Sequence, residues 1–393
     1  MIRLEGHGRE EGVLPGTDLS RTVGWFTSIF PIRLDLGDVD LDEAFAGGRS
    51  ASTAIKSVKE QLRAVPDKGI GYGLLRYPGN GTGQVAFNYL GRLDAADTER
   101  DWRPVRDGAA VFSSAEPSMP VTALIDITAF TTHDVLDATF AYPAGAIASE
   151  DVQALADLWA QALTALAAVA RSPHAGGLTP SDLPLVAVDR NDIDEWERGH
   201  PGLLDVWPLT PLQSGLLFHA ALAGADADPY AMQVILTLSG HLDQDRLRRA
   251  CIAVLTGHAN LRTALVRDSR GIPVQLVLDD VPLRWRHVDL TDRDTDEVAE
   301  EILQDDRTTR FDMSAPPLIR FTLLSRGPNR SDLAITAHHI VLDGWSMPLL
   351  VREIFTAYRR GDVRTEPPDS SPYRNFLEWL ADRDTETSAR AWA

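Results

Sequence analysis

Cysteine is almost missing from this chain: Cys251 stands alone among 393 residues. A lone cysteine excludes an internal disulfide framework and any cysteine-built metal cluster, and it fits a reducing cytoplasm. Basic residues are also in short supply, 38 Lys and Arg against 57 Asp and Glu, for a formal net charge of −19. Nucleic acids and anionic membranes are held by clustered cations, so that balance argues against both. An acidic surface serves solubility, or meets a basic patch on a partner. No secretory signal is expected, because MIRLEGHGREEG is charged from the third residue and has no apolar run. The longest apolar stretch, VQALADLWAQALTALAAVA at 152–170, carries Asp157 and two glutamines. It reads as an Ala-rich packed helix and not a membrane span. The sequon NGT at 80–82 carries no meaning in a cytoplasm.

What remains is ordinary globular composition, 44% hydrophobic and 24% charged, in a chain long enough for two or three domains. Strand-like runs rich in β-branched and aromatic residues occur at 22–36, 83–93, 230–240, 273–280, 317–326 and 331–341. A further run at 121–143 reads as a hairpin about TTHD. Helical spacing marks 51–65, 150–171, 209–222, 243–265 and 346–361, with Pro211 in the first turn of the third of these. Between the two mixed α/β halves, 171–202 collects Pro, Gly, Ser and acidic residues and is the best linker candidate.

One segment asks for chemistry. AITAHHIVLDGWSMPLL, 334–350, ends a predicted strand in His338 and His339 and follows them with Asp343 and Gly344. Alternation along a strand sends the two imidazoles to opposite faces, so one of them faces a given cleft. A neutral imidazole there accepts a proton from an attacking amine or hydroxyl. Asp343 is placed to form a charge pair that fixes the turn, and Gly344 to let the chain bend into the next helix. Two plain alternatives stand beside this: ordinary strand-end histidines, and a metal site, for which no further ligands lie nearby.

The string HHIVLDGWS resembles the HHxxxDG signature of the condensation domains of nonribosomal peptide synthetases. WPLTPLQSGLLFHAAL (207–222), GHANLRTAL (257–265, with Gly257 where the family usually has Arg) and SPYRNFLEWLADRD (371–384) resemble neighbouring motifs in the right order. In the first half, LEGHGREE (4–11), RTVGWFTSIFPIRLDL (21–36), DKGIGYGLLRY (67–77) and VAFNYLGRL (85–93) look like the last four motifs of an epimerization domain. GGLTPSDLPLVAVDRNDIDEWE (176–197) resembles the usual exit from such domains.

The resemblance implies an α/β fold of two chloramphenicol acetyltransferase-like sandwich lobes. The C-terminal lobe of an epimerization domain would fill 1–185, a linker 186–204, and the N-terminal lobe of a condensation domain 205–393. It implies that His339 acts as base on, or orients, an acceptor amine that attacks a thioester carried on 4′-phosphopantetheine. His338, Asp343, Gly344 and Arg262 would be structural, with Arg262 a candidate partner for Asp343. Epimerization needs two acid/base groups about Cα; Glu5 would be one, with Tyr89 in the same cleft, and the second would be a histidine of an HHxxxD motif not found ahead of Glu5. The expected product is a D-configured donor residue joined to an L-amino acid. The expected partners are carrier protein domains and adjacent synthetase domains, with no metal and no cofactor bound by the chain itself.

Each parent domain would be cut in half here, so both sites are expected to be incomplete and epimerase activity of these residues alone slight. Pairing of the two halves as a permuted hybrid domain, a non-catalytic carrier-docking platform and a CoA-dependent acyltransferase of the same superfamily are the alternatives. No adenylation domain is expected here from which to read the joined amino acids, and no carrier domain either, since no GxxS stretch sits in the Asp-Ser-Leu-like context that receives phosphopantetheine.

Overall fold

The computed structural model describes residues 1–13, 16–75, 84–92, 121, 123–132, 134–172, 175–222, 228–291, 295–361 and 371–392. The expected sites all lie among them; the sequon and part of GYGLLRY do not. The chain divides into two compact units, Met1–Gly177 and Leu178–Ala393.

The first unit is built on a five-stranded sheet in the order β2-β1-β3-β4-β5. Its strands are β1 (Ile2–Gly6), β2 (Ser28–Ile32), β3 (Val85–Arg92), β4 (Ile125–Thr132) and β5 (Val135–Ala141). β1, β3 and β4 run parallel, while β2 and β5 flank them antiparallel. The β4–β5 hairpin is the one expected about TTHD, and Asp134 enters it at φ 64°. Helices α1 (Leu41–Phe45), α2 (Arg49–Arg63) and α3 (Ser149–Ala170) complete the unit. α3 is the one helix among the described residues long and apolar enough to span a membrane. It lies against α1 and α2 with Val152, Ala165 and Val169 buried, and Trp159 stands edge-on to Phe140. In DKGIGYG, Gly69 is required: at φ 82° a Cβ there would come within 2.0 Å of the Phe30 ring.

The second unit has a four-stranded sheet, β10-β11-β12-β7, and a three-stranded antiparallel sheet, β6-β9-β8. The strands are β6 (Leu203–Pro208), β7 (Ala231–Ser239), β8 (Thr263–Arg267), β9 (Pro273–Leu278), β10 (Trp285–Asp289), β11 (Ile319–Gly327) and β12 (Arg330–His338). Its helices are α4 (Arg190–Gly199), α5 (Pro211–Leu222), α6 (Gln244–Gly257), α7 (Thr295–Thr308), α8 (Ser346–Arg360), α9 (Tyr373–Ala381) and α10 (Thr385–Trp392). β12 is buried from Ser331 to His338; its middle, LAITA, shows little alternation, and the buried polar residues are bonded, Asp332 to Thr237 and Arg326 and His338 to Asp228. Leu333, Ile335 and Ala337 join the main core with Leu247 of α6 and Ile354 of α8, while Ala334 packs with Ala299 and Leu303 of α7 on the other face. The stretch 243–265 is helical only as far as Gly257; a short 3₁₀ turn, Ala259–Arg262, then leads into β8. α8 stops where Gly361 takes a left-handed φ of 68°.

From Leu178 onward, the segment read as linker belongs to this second unit. Leu183, Ile193 and Trp196 lie in the main core with Val206 and Leu247. Asp189 and Asp192 form a reciprocal capping box at the start of α4. Asp192 also accepts hydrogen bonds from Ser269 N–H (2.8 Å) and Ser269 Oγ (3.2 Å) in the β8–β9 turn.

Candidate active sites

β12 ends on His338, and His339 is the first residue of the turn that follows it. His338 shares the face of Ala334 and Thr336 and is fully buried, whereas His339 turns the other way and is half-buried. The His338 ring is used at both nitrogens. Nδ1 accepts the Ile340 N–H at 3.0 Å, and Nε2 lies 3.1 Å from Asp228 Oδ2. A nitrogen that accepts carries no proton, so His338 is a neutral imidazole donating from Nε2 to the buried Asp228 carboxylate. Desolvation lowers its pKa, and the nearby Asp228 charge only partly opposes that. Asp228 is held in turn by the Tyr230 N–H at 2.9 Å. His339 donates its backbone N–H to Tyr230 O at 2.9 Å, and among the described residues its ring makes no hydrogen bond. Of the pair, only His339 keeps an imidazole free for an incoming group.

The turn after the histidines is pinned from outside the motif. Gln213 Nε2 donates to Ile340 O at 2.8 Å, and Asn260 Nδ2 donates to Val341 O at 2.8 Å. Gln213 lies in the LTPLQ stretch and Asn260 in GHANLRT, motifs whose resemblance assigns a role to neither residue. Nothing local in the sequence marks Asp228, 110 residues before its partner.

Asp343 fixes the turn, though not by a charge pair. Its Oδ1 accepts from Ser346 N–H at 2.8 Å and Ser346 Oγ at 2.7 Å, capping the start of α8. Those bonds hold its carboxyl below the usual range. Arg262 goes elsewhere: its guanidinium donates to the carbonyls of Leu278 and Asp279. Burial lowers its pKa, opposed by Asp279 and Asp280. The expected Arg262–Asp343 pairing is therefore corrected. Arg262 ties the β8 entrance to the end of β9, and Asp343 serves α8. Gly344 has no left-handed φ and a Cβ on it would meet nothing within 4 Å, so the bend does not demand glycine. Among the described residues no group of three His, Cys, Asp or Glu is arranged to hold a metal.

In the first unit Glu5 is half-buried in β1, and Asn88 of β3, its register partner, donates Nδ2–H to Glu5 Oε2 at 3.1 Å. The next residue, Tyr89, points to the opposite face of the sheet. It stands across from Ala129, and its hydroxyl meets Thr131 Oγ1 at 2.9 Å. Glu5 and Tyr89 thus do not share one side of this sheet; Glu5 lies between Ile29 of β2 and Asn88 of β3, and Asn88 is the one that hydrogen-bonds its carboxylate. The rest of LEGHGREE folds beside it. Glu10 takes the Lys68 ammonium and lies 3.5 Å from His7 Nε2, and the Arg9 guanidinium sits 4.2 Å over the Phe26 ring. A Cβ at Gly8, φ 64°, would collide with Phe26 O at 1.6 Å.

Comparison with known proteins gives one family for both stretches of the chain. The family model described as "Condensation domain" matches residues 1–182 and 204–393. One of the linear gramicidin synthase polypeptides of Brevibacillus parabrevis is 32% identical over 410 residues, covering all of this chain and 5% of that protein. Chondramide synthase of Chondromyces crocatus is 32% identical over 447 residues, covering all of this chain and 11% of that one. The chain thus spans a small part of these relatives. Among solved structures, the first condensation domain of the CDA synthetase overlays 44% of this chain and 43% of its own at TM-score 0.40 and 23% identity. With a family match across both mixed α/β units, the chain belongs to the condensation domain family.

Proposed function

We propose that these residues form an epimerization–condensation junction of a nonribosomal peptide synthetase, the first unit being the C-terminal lobe of an epimerization domain and the second the N-terminal lobe of a condensation domain. The observation that carries the reading is the division of labour at the histidine pair. His338 is buried and committed at both nitrogens, while His339 is half-buried with its backbone anchored and, among the described residues, its ring unengaged. In this reading His339 takes a proton from, or orients, the acceptor amine as it attacks the thioester carbonyl of a donor on 4′-phosphopantetheine. A positioned general base contributes about 10²–10⁴ in rate; a smaller effect favours orientation. Partner carrier domains supply the pantetheine arms, and the polypeptide works in the cytoplasm. Glu5, steadied by Asn88, is one acid/base group at the Cα of a carrier-bound aminoacyl or peptidyl thioester. The condensation step then receives the D-configured donor.

Two substitutions in the polypeptide that carries this sequence, with its carrier domains loaded, test both steps. Glu5→Gln abolishes α-proton exchange with deuterated solvent. His339→Ala abolishes peptide-bond formation and leaves α-proton exchange intact. Undiminished exchange in the first variant, or undiminished coupling in the second, overturns that half of the reading.

A further inference from the structure

Gln213 sits where a capping residue and an active-site strut coincide. Its Oε1 accepts the Thr210 N–H at 3.0 Å, and its backbone N–H lies 3.3 Å from Thr210 Oγ1, which makes a reciprocal cap at the start of α5. With Oε1 assigned as acceptor, Nε2 is left as donor, and it reaches Ile340 O at 2.8 Å, 127 residues away. Gln275 fixes the same carboxamide from the side. Its own Nε2 donates to Pro208 O at 2.9 Å, and the two amides face each other at 3.4 Å. Both glutamines are buried, and every polar atom of the Gln213 side chain is engaged. A buried amide that is fully satisfied has one orientation available to it. Ile340, the residue it grips, directly follows His339, and its N–H is already held by His338 Nδ1. The backbone immediately C-terminal to His339 is therefore gripped at both the N–H and the carbonyl of Ile340.

We propose that Gln213 is a positioning residue for His339, holding through Ile340 the backbone from which the catalytic imidazole projects. This rests on the reading of His339 given above. A merely structural role, capping α5, is separable from it by chemistry. Gln213→Glu keeps an oxygen for the Thr210 N–H and removes the donor to Ile340 O, placing a carboxylate against a carbonyl. Thr210→Val does the reverse, removing the hydroxyl cap and leaving the grip on Ile340.

The test is condensation kinetics of the whole polypeptide with loaded carriers, alongside thermal unfolding. Gln213→Glu is expected to lower kcat by about 10- to 100-fold, the scale on which small misplacements act, with KM for the acceptor carrier unchanged. Thr210→Val is expected to lower the unfolding temperature and keep kcat. Where Gln213→Glu fails to fold, Gln213→Met, of similar length but losing both the donor to Ile340 O and the acceptor for the Thr210 N–H, is read against Thr210→Val, which disturbs the cap alone: a fall in kcat in the first and not the second assigns it to the lost donor. Wild-type kcat in the Gln213 variant, while His339→Ala is inactive, overturns the proposal and spares the reading of His339. An active His339→Ala overturns both.

Discussion

His338 and Asp228 form a buried pair across 110 residues of sequence, Nε2 to Oδ2 at 3.1 Å, with the imidazole neutral and its other nitrogen accepting from Ile340 N–H. This pair makes stability depend on pH. The folded pKa of His338 lies below its ordinary value because burial disfavours the cation. Between the folded and unfolded pKa values the unfolded chain binds a proton that the folded chain does not, so stability rises with pH there. The contribution is complete above about 6.5, the ordinary histidine value, and is lost as pH falls toward the folded pKa. Urea unfolding of wild type and His338→Gln at pH 5, 6 and 7 should show a steeper loss on acidification in the wild type. Parallel slopes would place the titration elsewhere.

Asp343 and Arg262 are predicted to act independently. Asp343→Ala removes the cap on α8 and should cost about 0.5–2 kcal/mol. Arg262→Ala leaves the Leu278 and Asp279 carbonyls without their donor and should cost about 1–3 kcal/mol. With no shared partner, the double variant should equal the sum to within about 0.5 kcal/mol. A coupling well above that would mean the two residues meet as a pair after all.

What was legible beforehand was whatever local chemistry decides. The apolar run of β12, the Thr210 and Pro211 start of α5 and the glycine end of α8 each announce themselves within a few residues. Alternation predicts that the two imidazoles part company, and they do, but through the strand ending on His338 and the turn beginning at His339. Partners did not follow. Asp228, Gln213 and Asn260 reach the histidine turn from other elements, and no periodicity points to them. β1 carries no strand signal of its own, IRLEG being short, charged and glycine-ended; it is a strand by virtue of pairing with β2 and β3. Tyr89 falls on the face away from Glu5 because the β1–β3 register pairs Glu5 with Asn88, and sequence does not display that register. The resemblance suggests Arg262 as a partner for Asp343, but here the end of β9 takes the guanidinium and the start of α8 takes the carboxylate.

Gly344 carries the next prediction. Its φ is ordinary and the space about its Cα is open, so Gly344→Ala should be neutral to stabilising by about 0.4–1 kcal/mol, through reduced freedom of the unfolded chain. If the same variant slows condensation with its unfolding midpoint unchanged or raised, the glycine is kept for the room it leaves an incoming substrate and not for the fold. A lowered midpoint would show that the bend needs glycine.

Trp196 decides whether 178–199 is a tether or part of a domain. Composition over the wider stretch 171–202, where Pro, Gly, Ser and acidic residues collect, favours a tether. Its apolar anchors are nonetheless placed: Trp196 is 6% exposed and Ile193 wholly buried against the core that holds Leu247 and Val206. Asp192 adds two hydrogen bonds to Ser269, and Leu178 N–H is bound by Glu197. A buried tryptophan truncated to alanine leaves a cavity costing about 3–5 kcal/mol, so Trp196→Ala should bring the urea midpoint of the second unit down sharply. A tether would tolerate the change with the midpoint unmoved. The same arithmetic bears on how the second unit is excised. A cut at 204, where the second family match begins, removes Leu183, Ile193 and Trp196 together and should leave a less stable fragment than a cut at 178. Equal midpoints for the two fragments would show that the core closes without them.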